Sequence, residues 1–243
     1  MSPLNLSFLI ATGLATVAGT DLGIPFALGY ASRKLLRRRA RKARAVVLTF
    51  DDGPGSRLTP AILRILAERK VKATFFLLGQ KVGECQEVVR QIQEQGHEIC
   101  SHGYSHNHMW RTGFWRAIQD IKRGRVAIDA VLGDHDGERP FRPPYGKLDL
   151  ITLIYLWLTG VTVHYWTIDS TDTWMAATAD WSRAPNVIHR NGGGVILVHD
   201  FDRHSPDLEQ AILDSINKVL DVARQDNLRV MTLSDLMRDG DKR

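Results

Sequence analysis

The chain divides at Ala45 by the rhythm of its apolar positions. Before that point lies one long uncharged stretch, broken once by Asp21 and followed by a run of cations. After it, short apolar runs alternate with amphipathic stretches. "AVVLTF" (45–50) reads as a buried strand, and "LTPAILRILAERK" as a helix with Thr59 as N-cap and Pro60 at its first position. "KATFFLLG" is a second strand, "GECQEVVRQIQEQG" an amphipathic helix ended by Gly96, and "HEICSHG" holds a short third strand. A helix is predicted over Trp110 to Leu132, with Phe114, Trp115, Ile118, Ile121 and Val126 at helical spacing. "VTVHYWTID", "GGGVILVHD" and "LRVMTL" are three further strands. Strands alternating with crossover helices imply a parallel sheet or barrel, whose functional rim lies at the strands' C-terminal ends.

Charge changes the picture only locally. The formal net charge is +5, yet "RKLLRRRARKAR" (33–44) holds eight cations. Removing those and Asp21 from the 32 basic and 27 acidic residues leaves 24 against 26 from Ala45 onward, so the main domain is not basic. That distribution argues against nucleic acid as a partner. Leu4 to Ser32 is long enough to span a bilayer if Asp21 is accommodated, although Gly23 and Pro25 can break it. A cleaved secretory signal is not expected, because the positive charge follows the apolar stretch instead of preceding it. The expected organisation is a membrane-associating segment at 1–32, a basic juxtamembrane linker at 33–44 and a catalytic domain at 45–243. The positive-inside rule favours a cytoplasmic-facing domain; an interfacial helix held by anionic headgroups, and an exported domain, are the alternatives. Cys85 and Cys100 suggest no disulfide framework.

Titratable residues recur at the predicted rim. Asp51 and Asp52 end the first strand, and Gly53-Pro54 turns the chain at once. His102 and His106 follow the third strand four residues apart, so one tight loop can aim both imidazoles at one ion. Asp169 and Asp172 follow "HYWTI", and His199 with Asp200 follows "VILV". Two histidines and a carboxylate suit Zn²⁺, and equally Co²⁺, Ni²⁺ or Fe²⁺. If Asp52 completes that set, Asp51 is left to take a proton from water, which a metal makes more acidic.

"TFDDGP", "SHGYSH", "RPPYG", "DSTDTW" and "ILVHD" resemble, in order and near spacing, the five motifs of polysaccharide deacetylases with NodB homology, carbohydrate esterase family four. The resemblance implies a distorted (β/α) barrel over 45 to about 235 and metal-dependent removal of N-acetyl groups from amino sugars. It implies Asp51 as base, Asp52, His102 and His106 as metal ligands, and His199 as the acid that protonates the leaving amine. Arg142 would position the base, the backbone N–H of Tyr145 would be the oxyanion donor, and Leu197 would border the acetyl methyl group. Asp172, with Asp169 as rival, would tune His199, and Trp174 would wall the substrate groove. Two features depart from the family pattern: Gly103 stands where Ser or Thr is usual, and Thr173 is inserted before Trp174. A looser loop, compensated by Ser101 or Ser105, is therefore expected.

The substrates implied are peptidoglycan, a chitin-like glycan or a lipid-linked sugar. A sugar deformylase or O-acetyl esterase using the same site is the nearest alternative. A carbohydrate-binding relic is disfavoured because every matching position is retained.

Overall fold

The computed structural model describes residues 3–133, 138–173 and 179–241, with α1 side chains from Asp21 onward. Helix α1 (Pro3–Ala43) leads into β1 (Ala45–Asp51), α2 (Leu58–Glu68), β2 (Thr74–Leu77), α3 (Gly79–Glu84), α4 (Gln86–Glu94) and β3 (Glu98–Ser101). There follow α5 (Met109–Thr112), α6 (Phe114–Leu132), a 3₁₀ turn at Pro144–Gly146, α7 (Leu150–Leu158), β4 (Ile168–Asp169) and α8 (Arg183–Asn191). The described chain ends through β5 (Gly194–His199), α9 (Pro206–Gln225), β6 (Arg229–Val230) and α10 (Leu233–Asp241).

All strand pairs are parallel, in the order β3-β2-β1-β5-β4, with β6 also pairing β1. β1 is central and buried along its whole length, which is why it is apolar without alternation until Thr49. Val46, Leu48 and Phe50 face the outer core with Ile62 of α2 and Ile216 of α9. Val47 points to the opposite, inner face, together with Phe76, Cys100 and Val195. Phe141 bridges Ser101 on one side and Val163 on the other, and Thr167 N donates to Val195 O, so the sheet curls into the expected distorted barrel.

Several predicted elements change form. The strand expected over 161–169 is a bridge at Val163 and the two-residue β4, because its ends pair with different neighbours. Gly113, at φ 79°, divides the helix predicted from Trp110 into α5 and α6. Within α6, Ile118 and Ile121 are buried, whereas Trp115 and Val126 face outward. The helix predicted through Glu84 breaks at Cys85 into α3 and α4. Thr59 is not an N-cap: α2 starts one residue earlier, and its first N–H groups donate to the Asp202 carboxylate at 2.9 Å from Arg57 N and Leu58 N.

The largest difference lies in the basic stretch 33–44. It is the end of α1, and Leu36 and Ala40, one helical turn apart, are buried in the inner core with Leu233 and Leu236 of α10. The charge run hides this apolar pair, whose cationic neighbours Arg37, Arg38 and Arg41 face solvent. Among the described residues no helix is long and apolar enough to cross a membrane. Leu36→Ala should therefore destabilise the chain by about 2–5 kcal/mol, as core truncations do, whereas Arg37→Ala should change stability by less than about 0.5 kcal/mol. Urea unfolding of the two variants separates a core-plugging helix from a solvated tether.

Candidate active site

The rim residues converge because β1, β3 and β5 end level with one another. Asp51, the last residue of β1, pairs in register with His199, the last of β5. Asp51 points inward and is almost fully buried. Its Oδ1 accepts from Arg142 Nη1 at 2.6 Å, and the same nitrogen donates to Thr49 Oγ1 at 2.8 Å. Arg142 Nη2 donates to Tyr165 O at 3.1 Å, and the guanidinium lies 3.9 Å from the Phe76 ring centroid. Burial pulls the Arg142 pKa down from its ordinary value, opposed by Asp51.

At Asp52 the backbone switches to φ 68°, which turns this second carboxylate away from the path of its neighbour. Its Oδ1 lies 3.3 Å from His102 Nε2 and 3.2 Å from His106 Nε2. One ligand atom from each of the three residues falls within 4.8 Å of the others. His102 Nδ1 is 2.8 Å from the carbonyl of Arg142. A carbonyl only accepts, so Nδ1 carries a proton, and in the neutral ring Nε2 presents its lone pair to the cluster. Asp52 Oδ1 is buried with no hydrogen-bond partner. Burial would raise the Asp52 pKa, but His102 and the neighbouring imidazoles hold it well below the usual carboxylate range. An orphaned anionic oxygen facing two imidazole nitrogens fits a divalent cation.

The loop between the histidines is held from outside it. Asp120 of α6 accepts from Tyr104 N at 2.9 Å, Ser105 N at 3.1 Å, Ser105 Oγ at 2.5 Å and Asn107 Nδ2 at 3.0 Å. Gly103, at φ 85°, makes room for this carboxylate: a Cβ there would lie 2.6 Å from Asp120 Oδ2. Ser105 therefore joins a tight network, and Ser101 Oγ accepts from Gly103 N at 3.3 Å. Both hydroxyls expected to compensate for Gly103 thus hold the loop.

Across the rim, Asp172 Oδ1 lies 2.9 Å from His199 Nδ1, and its Oδ2 accepts from His199 N and from Arg203 Nη2, both at 2.9 Å. Ser170 Oγ donates to Asp172 Oδ1 at 2.6 Å. Asp169 instead accepts from Thr171 N in a local turn, which decides between the two carboxylates. Burial would lower the His199 pKa, but Asp172 overrides it and lifts the imidazole to about 9. Leu197 is buried two residues before His199 on the same strand face, opposite Thr49. Tyr145 sits in the Pro144–Gly146 turn at φ 57°, and its N–H takes part in neither turn hydrogen bond, Gly146 N to Pro143 O or Lys147 N to Pro144 O. Trp174 lies outside the described residues.

Asp120, Arg203 and Asp200 escaped the sequence reading of this site. Asp200 was legible only as a strand-end residue, yet it is fully buried beneath the Asp52-Gly53 turn and accepts from Thr59 Oγ1 at 2.6 Å. A Cβ on Gly53 would lie 2.2 Å from its carboxylate oxygens, and burial pushes its pKa up to about 7.

A parallel α/β barrel with a buried arginine–carboxylate pair, a His₂Asp cluster and a carboxylate-backed histidine on one rim defines a hydrolase-type architecture. The polysaccharide deacetylase family model matches residues 38–164, and the chain belongs to that family. A peptidoglycan-N-acetylglucosamine deacetylase of Bacillus cereus is 31% identical over 202 residues, covering 82% of this chain and 70% of that protein. A chitooligosaccharide deacetylase of Sinorhizobium fredii is 30% identical over 163 residues, covering 67% of this chain and 75% of that protein. The crystal structure of a peptidoglycan N-acetylglucosamine deacetylase bound to 4-naphthalen-1-yl-N-oxidanyl-benzamide has a TM-score of 0.66 at 28% identity, covering 79% of this chain and 87% of that one.

Two outcomes follow from the geometry. Asp120→Asn should lower metal affinity about 10- to 100-fold, the usual cost of disturbing groups that orient ligands, measured by competition with a chromogenic chelator. The raised His199 pKa means that its proton stabilises the fold fully below the unfolded value near 6.5, a contribution lost as pH climbs through about 9. Asp172→Asn should move that loss to lower pH, and NMR titration of the His199 ring would report it directly.

Proposed function

We propose that this chain removes N-acetyl groups from amino sugars of a glycan, with a divalent metal held by Asp52, His102 and His106. The reading rests above all on the division of labour between adjacent carboxylates: Arg142 pins Asp51 Oδ1, while Asp52 faces the imidazoles. When bound, the metal supplies Lewis acidity, polarising the acetyl carbonyl and making water more acidic. Zn²⁺ suits the donor set, as do Co²⁺, Ni²⁺ and Fe²⁺.

The protein's own groups carry the protons. Asp51, with Oδ1 fixed, takes the proton of the attacking water on Oδ2, and Arg142 keeps that oxygen aimed. The Tyr145 N–H donates to the carbonyl oxygen as negative charge develops there, and the bent turn presents it without rearrangement. Leu197 borders the acetyl methyl group and excludes water. His199, charged at neutral pH with Nδ1 held by Asp172, gives its Nε2 proton to the departing amine. Relatives named as peptidoglycan and chitooligosaccharide deacetylases support an N-acetylglucosamine-containing substrate. Residues 45–243 with the docked end of α1 form the catalytic unit. Residues 1–32 and the basic run bring it to an anionic membrane surface, with the cytoplasmic leaflet favoured by the charge asymmetry.

The test is acetate release from N-acetylglucosamine oligomers by metal-stripped protein, alone and resupplied with Zn²⁺ or Co²⁺. Release restored by metal supports the assignment; folded, metal-loaded protein that releases acetate from no amide overturns it. Asp51→Asn should keep its metal but lose at least about 100-fold in turnover, and His102→Ala should lose the metal by elemental analysis.

A further inference from the structure

A cavity of about 130 Å³ lies between α1 and the turn that carries Tyr145. Pro25 and Phe26 of α1, Trp110 and Leu148 give it apolar walls, and two cations, Arg33 and Lys147, border it. Arg33 stacks on Tyr165 and Trp166, 4.5 and 4.9 Å from their ring centroids. Lys147 Nζ lies 4.8 Å from the Trp110 centroid and 3.5 Å from His108 Nε2. Neither cation makes an ion pair with a carboxylate among the described residues. Half-buried cations that have lost hydration without gaining a counter-ion are costly to hold, and an anion between them would remove that cost.

This cavity is joined to the reaction centre by a row of rings. The Tyr145 ring lies 4.7 Å from that of His106 and 5.1 Å from that of His108, and His108 meets Trp110 at 6.0 Å. Such a row offers apolar faces on which a pyranose can lie. In a 2-acetamido sugar 1-phosphate, the acetamide and phosphate are on neighbouring carbons. The anion site and the proposed acetyl site share Tyr145, an adjacency that a sugar with acetamide and phosphate on neighbouring carbons calls for.

Beyond the cavity the surface turns apolar. α1 and α7 lie side by side, with Leu150 N donating to Asp21 Oδ1 at 3.1 Å. Phe26, Leu28 and Tyr30 of α1 and Ile154, Trp157 and Leu158 of α7 are all exposed. The α7 sequence, "LITLIYLWL", contains no charged residue, whereas a water-facing helix ordinarily carries a polar outer face. Further along the exposed side of α1 come Lys34, Arg37, Arg38, Arg41 and Lys42. Apolar groups followed by cations match the acyl and anionic headgroup layers of one membrane leaflet.

We propose, on the basis of the deacetylase reading, that the substrate is an N-acetylated amino sugar carried on a phosphate-linked lipid. Its phosphate lies between Arg33 and Lys147, its sugar crosses the Tyr145 and His106 rings, and its chain follows the α1–α7 face into the bilayer. A soluble nucleotide sugar would satisfy the cations but leave the apolar face without a use. A neutral polymer would satisfy neither.

The full-length, metal-loaded protein would be assayed on three substrates. These are N-acetylglucosamine diphosphate linked to a prenyl chain in phosphatidylglycerol vesicles, uridine diphosphate N-acetylglucosamine, and N-acetylglucosamine tetramer. The lipid-linked substrate should exceed both others in kcat/KM by at least about tenfold. Arg33→Gln and Lys147→Gln should each raise its KM about tenfold, Lys147→Arg should restore it, and Ile154→Ser with Trp157→Ser should remove its advantage over the tetramer. Equal use of the nucleotide sugar would overturn the lipid source, and unchanged KM in both charge variants would overturn the phosphate site. Turnover of the tetramer alone would overturn this proposal while leaving the deacetylase reading intact. Turnover of none would overturn both.

Discussion

The buried contact between Arg142 and Asp51 organises the interior of the barrel. Arg142 is fully buried, and its side chain ties β1, through Asp51 and Thr49, to the carbonyl of Tyr165 on the closing segment. Its backbone carbonyl also fixes the tautomer of His102. Phe141, next to it, bridges β3 and the Val163 segment and so closes the sheet. One short stretch thus sets barrel closure, the orientation of Asp51 and the nitrogen that His102 turns toward Asp52 and His106. A guanidinium in this position is tolerated only while its carboxylate stays in place, because removing one partner of a buried pair typically costs about 3–5 kcal/mol. Fold and reaction centre therefore impose the same geometry on Asp51.

The adjacent Asp52 obeys a different constraint. An extended chain would send it to the outer core beside Leu48 and Phe50, where an isolated carboxylate would be severely destabilising. The left-handed conformation at Asp52 moves it to the rim, and the turn is held from below by Asp200 and Thr59 and from the side by Lys81, whose Nζ donates to Asp52 O at 2.6 Å. His106 and Tyr145 also adopt positive φ, so three groups assigned to the chemistry occupy backbone conformations that cost non-glycine residues about 1–2 kcal/mol each. The surrounding hydrogen bonds overdetermine these conformations.

What was legible in the sequence was whatever is local. The alternation of strands and helices, the turn after Asp51 and the four-residue spacing of His102 and His106 are short-range signals, and each corresponds to the structure. Asp120 was not legible, because it reaches the histidine loop from a helix that begins after that loop, and a lone aspartate within an amphipathic helix reads as solvated. The fit of Gly103 was hidden for the same reason: its missing side chain suggests slack until the carboxylate that fills the space is identified. Asp202 capping α2 from about 145 residues away defeated the assignment of Thr59, whose hydroxyl instead serves Asp200 and accepts from Gly55 N. Long-range polar contacts leave no periodic trace.

The same limitation concealed the part played by α1. Eight cations in twelve residues suggest a solvated tether, yet Leu36 and Ala40 close the inner core and Arg33 reaches the Tyr145 turn. A Cβ on Gly146 would lie 2.7 Å from Arg33 Nη2 and 2.9 Å from the Trp166 ring, so the turn presenting the Tyr145 N–H packs directly on this helix. The position of α1 therefore helps to set the position of the Tyr145 N–H. Because α1 also carries exposed apolar and cationic residues, a surface that held the helix would also orient the Tyr145 turn. Membrane attachment and catalysis would then be coupled through rigid packing, with no moving part required.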